Sequence, residues 1–161
     1  MNLKKFFFSD ILIVLIIFLL DRISKLYVIH LDGILLNSEI INSKFINIQL
    51  IWNEGVAFGL LAFNEKSFYN FITGFIVIII LTLIYFIRKT RGIEKYSFII
   101  ILGGALGNVF DRFFYSAVPD FIDIHYNNFH WFIFNVADIF ITLGVILLVY
   151  IEIFLKNKKS L

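Results

Sequence analysis

Cysteine is absent from this chain of 161 residues. That excludes disulfides, thiolate metal sites and a cysteine nucleophile together. Charge is also scarce, at 16% of residues, and there is a single proline. With 60% hydrophobic residues and 21 phenylalanines, the composition excludes an ordinary soluble globule. No repeat or low-complexity tract breaks the chain. Length and continuity predict a single integral membrane domain over residues 1–161.

Four long apolar segments are present, at about residues 6–28, 67–87, 96–114 and 134–155. Roughly 20 apolar residues at a helical rise of about 1.5 Å cross a hydrocarbon core of about 30 Å. The segment at 67–87 has no charged residue. The other three qualify only if polar residues are accepted near one end. The fold class read from this pattern is an all-α membrane protein, a four-transmembrane-helix bundle. Residues 46–52 alternate, with Ile46, Ile48, Leu50 and Trp52 apolar and Asn47 and Gln49 polar. Period two predicts a half-buried strand, hence a small extracytoplasmic β-element between helices 1 and 2. Gly55 and Gly59 then break it. The loop carrying this strand is predicted to close over a bound substrate.

Basic residues orient the bundle. Lys4 and Lys5 precede the first span, Arg88, Lys89, Arg91 and Lys95 separate the second from the third, and Lys156, Lys158 and Lys159 follow the fourth. The positive-inside rule puts all of them, and both termini, in the cytoplasm. Lys4-Lys5 before an apolar run also opens a signal peptide. This run leads into Asp21-Arg22 rather than a small-x-small cleavage site, so it reads as a retained span.

Five aspartates then fall toward the outer face: Asp21, Asp111, Asp120, Asp123 and Asp138. An acid in or beside hydrocarbon is costly, and marks a functional site by default. The plainest reading is neutralisation: Asp21 and Lys25 are i, i+4, and Arg22 and Arg112 are nearby. Three bases do not match five acids in this layer, although Lys44 and Lys66 lie in the outer loop. The sharper reading is a pair of carboxylates sharing one proton, which hydrolyses a peptide bond through a water molecule without metal or cofactor. Gly103 and Gly107 form a small-xxx-small packing pattern. Asn108 with Arg112, and Asn135 with Asp138, each share a helix face. His30, His125 and His130 read as interfacial or loop residues. The last two are five apart, a poor helical spacing for sharing a metal.

Four blocks carry a resemblance. They are Asp21-Arg22-Ile23-Ser24-Lys25; Asn53-Glu54-Gly55-Val56-Ala57-Phe58-Gly59; the run from Gly103 to Arg112 with Asp120-Phe121-Ile122; and Phe134-Asn135-Val136-Ala137-Asp138. In this order on a four-span chain, they resemble the lipoprotein signal peptidases, the type II signal peptidases of bacteria. The resemblance implies an aspartic endopeptidase of the bacterial cytoplasmic (inner) membrane. Such an enzyme removes the signal peptide of diacylglyceryl-modified prolipoproteins before the lipidated cysteine. It implies Asp120 and Asp138 as the catalytic pair. Asp21, Lys25, Asn53, Gly55, Gly104, Asn108, Arg112, Asn135 and Ala137 would shape the site or contact substrate. It leaves Asp111 outside the pair and Asp123 unassigned, and it makes Pro119, next to Asp120, a departure. Expected partners are lipidated prolipoproteins and membrane lipids, with a monomeric enzyme and no nucleic acid. A proton-coupled transporter subunit, whose acids belong nearer the midplane, and a non-catalytic assembly protein held by polar interhelical contacts are the alternative functions.

Overall fold

The structure is a computed structural model that describes residues 3–35, 40–54, 65–127 and 129–156. It is mostly helical. Helix α1 runs Leu3–Leu35, α2 Glu65–Lys89, α3 Gly92–Tyr115 and α4 Val136–Tyr150, the last continuing into a π-helical turn at Ile151–Lys156. Three strands, β1 (Ile46–Asn53), β2 (Val118–Tyr126) and β3 (Phe129–Phe134), form one antiparallel sheet in the order β1-β2-β3. The predicted β1 is present almost to the residue. Of the loop expected to cover the substrate, residues 40–54 are described; Gly55, Gly59 and the rest of residues 36–39 and 55–64 lie outside the described residues.

Among the described residues, three helical segments are long and apolar enough to cross a membrane: 70–89, 92–115 and 136–155. Helix α1 is longer, but Asp10, Asp21, Arg22 and Lys25 interrupt its apolar run. The outward faces of α2 and α4 expose Phe71, Ile78, Leu81 and Ile146. Hydrocarbon tails are as apolar as these side chains, so such faces suit a bilayer.

Helix α3 is the centre. Of its spanning window 61% is buried, against 17% for α2 and 11% for α4. Ile101, Leu102, Ala105 and Val109 on α3 pack with Ile80 and Leu83 on α2. Its glycines admit the other two helices. A Cβ on Gly103 would lie 2.8 Å from Ile17 Cβ, and one on Gly104 would lie 2.5 Å from the Ala137 carbonyl oxygen. A Cβ on Gly107 would press into the Asp21 carboxylate. The small-xxx-small pattern therefore serves close packing, and Gly104 adds the approach of α4.

Ion pairs set the direction of α1 against α3. Asp10 pairs with Lys95 at one end, and Lys25 with Asp111 at the other. The two contacts are about 15 residues apart on each helix, a rise of about 23 Å. The helices are therefore parallel and in register.

The segment between α3 and α4, which no apolar run or strand pattern marked in the sequence, is β2 and β3. Ser116 ends α3 with a positive φ of 57°, and the chain turns directly into β2. Strand β2 is central, pairing Asp120 with Ile51 and Pro119 with Trp52 on one side, and Asp123 with Ile133 and His125 with His130 on the other. Pro119 is tolerated because β2 has a neighbour on only one side there; β3 pairs only from Ile122 onward. Asn127 has a positive φ of 52° between the paired Tyr126 and Phe129. Asparagine tolerates that conformation, which suits the turn of a tight hairpin. The helical spacing applied to His125 and His130 was thus the wrong period: they face each other across the hairpin.

Gly104→Leu should separate α3 from α4, because its first contact would be rigid backbone; it should cost at least about 1–3 kcal/mol. Gly74→Ala, where an added Cβ meets nothing within 4 Å, should be neutral or stabilising by up to about 1 kcal/mol. Unfolding in mixed micelles measures both; equal effects would contradict this packing.

Candidate active site

A buried ammonium sits at the junction of three helices. Lys25, on α1, is fully buried. Its Nζ donates to Asp21 Oδ2 at 2.9 Å, Asp111 Oδ2 at 2.7 Å and Asn108 Oδ1 at 2.9 Å. An ammonium has three donors, and all three are used. Arg22 lies beside it, with Nη2 2.5 Å from Asp111 Oδ1 and 3.5 Å from Asp21 Oδ2, and its guanidinium over the Phe110 ring. Two cations thus face two carboxylates. The neutralisation reading holds for Asp21 and Asp111, whose partners come from α1 itself.

The same cluster reaches α4. The second oxygen of Asp21, Oδ1, accepts from the Ala137 backbone N–H at 2.9 Å. That N–H lies in the first turn of α4, where helix donors have no intrahelical acceptor. Ala137 is fully buried against Gly104. A larger residue at either position would lift the helix end off Asp21.

Asn135 is the N-cap of α4, in a reciprocal capping box with Asp138. Asn135 Oδ1 accepts from the Asp138 N–H, and Asp138 Oδ2 accepts from the Asn135 N–H, both at 3.1 Å. This box fixes the Asp138 carboxylate at the mouth of the helix. Its other oxygen, Oδ1, accepts from Asn108 Nδ2 at 2.8 Å.

The Asn135 amide nitrogen faces the other way. It donates to Asp120 Oδ1 at 2.6 Å and to Asn108 Oδ1 at 3.1 Å. Asp120 Oδ2 accepts from Asn53 Nδ2, at the end of β1, at 2.9 Å. Asp120 and Asp138 are therefore bound to opposite ends of one asparagine, and each has both oxygens on N–H donors. Among the described residues neither forms an ion pair. Burial pushes the Asp120 carboxyl above its ordinary range, and the negative charge of Asp138 adds to this. The hydrogen bonds from Asn53 and Asn135 and the more distant Lys25 pull the other way without cancelling it.

The sequence candidates divide clearly. Asp21, Lys25, Asn53, Asn108, Asp120, Asn135, Ala137 and Asp138 form one connected network, with Gly104 directly beneath it. Arg112 is half-buried in the last turn of α3, one turn beyond Asn108. Asp123 is not part of the network; its carboxylate pairs with His130. Two contributors went unread as such. Asp111 is the second carboxylate on Lys25, which its spacing from Asn108 did not reveal. The capping box was legible in principle, since Asn135 stands three residues before an acid at the start of an apolar run.

Lys25→Met should destabilise the protein by about 3–5 kcal/mol, because two buried carboxylates lose their shared cation. Adding Asp111→Asn should recover part of that loss. Chemical unfolding in micelles measures both; a loss under about 1 kcal/mol for the single variant would contradict the cluster's role.

The signal peptidase (SPase) II family matches residues 13–154 of this chain. A lipoprotein signal peptidase of Pelagibacter ubique (strain HTCC1062) is 47% identical over 159 residues, 99% of this chain and 95% of that protein. Another, from Anaplasma phagocytophilum (strain HZ), is 37% identical over 151 residues, 93% of each. The fold is similar to that of a bacterial membrane enzyme solved by the in meso method at 1.9 Å resolution. The TM-score is 0.72 at 30% identity, covering 91% of this chain and 93% of that one. With matches over nearly its full length, the chain belongs to the signal peptidase II family.

Proposed function

We propose that this peptidase is an aspartic endopeptidase of the bacterial cytoplasmic membrane, and that Asp120 and Asp138 are its catalytic pair. Its substrates are prolipoproteins already carrying diacylglycerol, cut just before the lipidated cysteine. The observation that carries the reading is the placement of two carboxylates on one asparagine, without an ion pair among the described residues, while the neighbouring Asp21 and Asp111 are neutralised. Two acids held close in a dry site cannot both ionise, so they share a proton.

The chemistry follows from that state. The ionised carboxylate takes a proton from a water molecule, whose oxygen attacks the scissile carbonyl carbon. The protonated carboxyl gives its proton to the carbonyl oxygen, forming a neutral gem-diol. As the C–N bond breaks, the pair gives its proton to the leaving nitrogen and takes one back from a gem-diol hydroxyl, so a carboxylic acid and an amine leave and the pair again holds a single proton. Asn53, Asn108 and Asn135 hold the carboxylates in place without adding charge. Preorganisation of this kind removes the need to reorient the acids during the reaction.

In this reading α1 is a fourth span, since its charges are compensated inside the bundle by Asp111 and Lys95. Both termini are cytoplasmic, and the sheet lies at the outer leaflet, where a diacylglyceryl group is found. A groove of about 480 Å³ between α1 and the sheet is lined by Tyr27, Leu31, Leu35, Ile41, Ile48 and Phe121. Phe121 follows Asp120 on β2, and alternation turns their side chains to opposite faces of the sheet, so the groove offers apolar surface for an acyl chain beside the strand that carries Asp120.

Asp120→Asn and Asp138→Asn should each abolish cleavage of a lipidated prolipoprotein while the protein still folds and inserts. The double variant should be little worse than either single one, because the pair acts as a unit. Normal turnover by either single variant would end the assignment. Graded partial losses would favour an assembly role for the acids.

A further inference from the structure

Asp123, His125 and His130 stand apart from the network around Lys25. Asp123 and His125 are two apart on β2, and His130 faces His125 across the β2–β3 hairpin. Alternation along a strand and direct cross-strand pairing put all three on one face. One ligand atom from each lies within 4.8 Å of the others. The two imidazole rings are stacked, with centroids 5.0 Å apart.

The bonding of the cluster is incomplete. Asp123 is fully buried. Its Oδ2 contacts His130 Nδ1 at 2.8 Å, but Oδ1 has no hydrogen-bond partner among the described residues. The buried Nδ1 of His125 has none either. A buried carboxylate bonded through one oxygen to a single half-exposed imidazole is poorly satisfied, and an unmade hydrogen bond on each of two buried atoms adds to the cost. We propose that Asp123, His125 and His130 form a binding site for a divalent transition-metal cation, of the Zn²⁺ class, that pins the hairpin.

Two imidazoles and a carboxylate are the donor set such cations favour, at about 2.0–2.2 Å from the metal. Ligand atoms around a tetrahedral ion of that size stand about 3.3 Å apart, so small side-chain rotations close the cluster on the metal. A cation there would neutralise Asp123 and occupy both orphaned atoms at once. The half-exposed His130 leaves one side open for a water molecule as the fourth ligand. The site is structural: it ties β3 to β2, the strand that carries Asp120, and it shares no residue with the proposed catalytic pair.

Zn²⁺ alone is the probe. The full-length protein, purified in detergent without a histidine tag and stripped with chelator, is titrated with ZnCl₂ in a calorimeter. Saturable uptake of one ion per chain is expected, with a rise in thermal midpoint, since a ligand that binds only the folded state stabilises it. His125→Ala and His130→Ala should each weaken uptake at least about tenfold. His130→Gln, a half-exposed and milder change, guards against loss of fold. Asp120→Asn should bind Zn²⁺ as the unmodified protein does, which separates this site from the peptidase reading. Absence of saturable uptake would overturn the proposal, leaving a plain His130–Asp123 contact. So would uptake unchanged in the His125→Ala/His130→Ala double variant, or uptake lost in Asp120→Asn.

Discussion

The Lys25 ammonium is the interaction on which the remaining structure depends. An ion of that size out of water loses several kcal/mol of hydration even after relaxation. Only close acceptors offset this, and Lys25 has three, from α1 and α3. With Arg22 it balances Asp21 and Asp111 charge for charge. Asp21 in turn takes the first-turn N–H of Ala137, and Asn108 reaches Asp138. One cation therefore sets the relative positions of α1, α3 and α4. Asp21 and Asp111 take up Lys25 and Arg22, and among the described residues Asp120 and Asp138 are held by amide donors.

The packing around the cluster follows from the same demand. Polar groups can be this dense inside an apolar bundle only if backbones come close enough to complete every contact. Gly104 and Gly107 provide that approach to the Ala137 carbonyl and the Asp21 carboxylate. Without a hydrophobic drive between helices in lipid, such close contacts and polar links supply much of the association. The sheet plays a different part. It brings Asn53 and Asp120, from separate segments, over the capped end of α4.

Much of this was legible from residue order. The spans at 67–87 and 96–114 lie inside α2 and α3, and the alternation at 46–52 is β1. Ion pairing of Asp21 with Lys25 followed from i, i+4 spacing. The partner of β1 was not legible. Strand β2 runs Val-Pro-Asp-Phe-Ile-Asp-Ile-His-Tyr, where two acids and a proline obscure any period, and register depends on a neighbour far away in sequence. The hairpin turn at Asn127 lacks the glycine that usually marks one. Four alternating spans already made α1 and α3 parallel and put Asp111 in the same layer as Lys25, but residue order did not say which faces of the two helices meet; the Asp10–Lys95 and Lys25–Asp111 pairs fix that in three dimensions.

The central claim is that one asparagine-linked pair of carboxylates shares a proton in a dry site. The most direct measurement is the pH dependence of kcat/KM on a lipidated prolipoprotein, in the free-enzyme limit where it reports the unbound acids. Asp120 is pushed upward, so the singly protonated pair should persist above the ordinary carboxylate value of 3.8. The account predicts a bell, rising as the first proton leaves and falling as the second leaves at a pH above that value, both belonging to the pair. A rate that rises through one ionisation and then stays level would contradict it, since a fully ionised pair has no acid left to protonate the carbonyl.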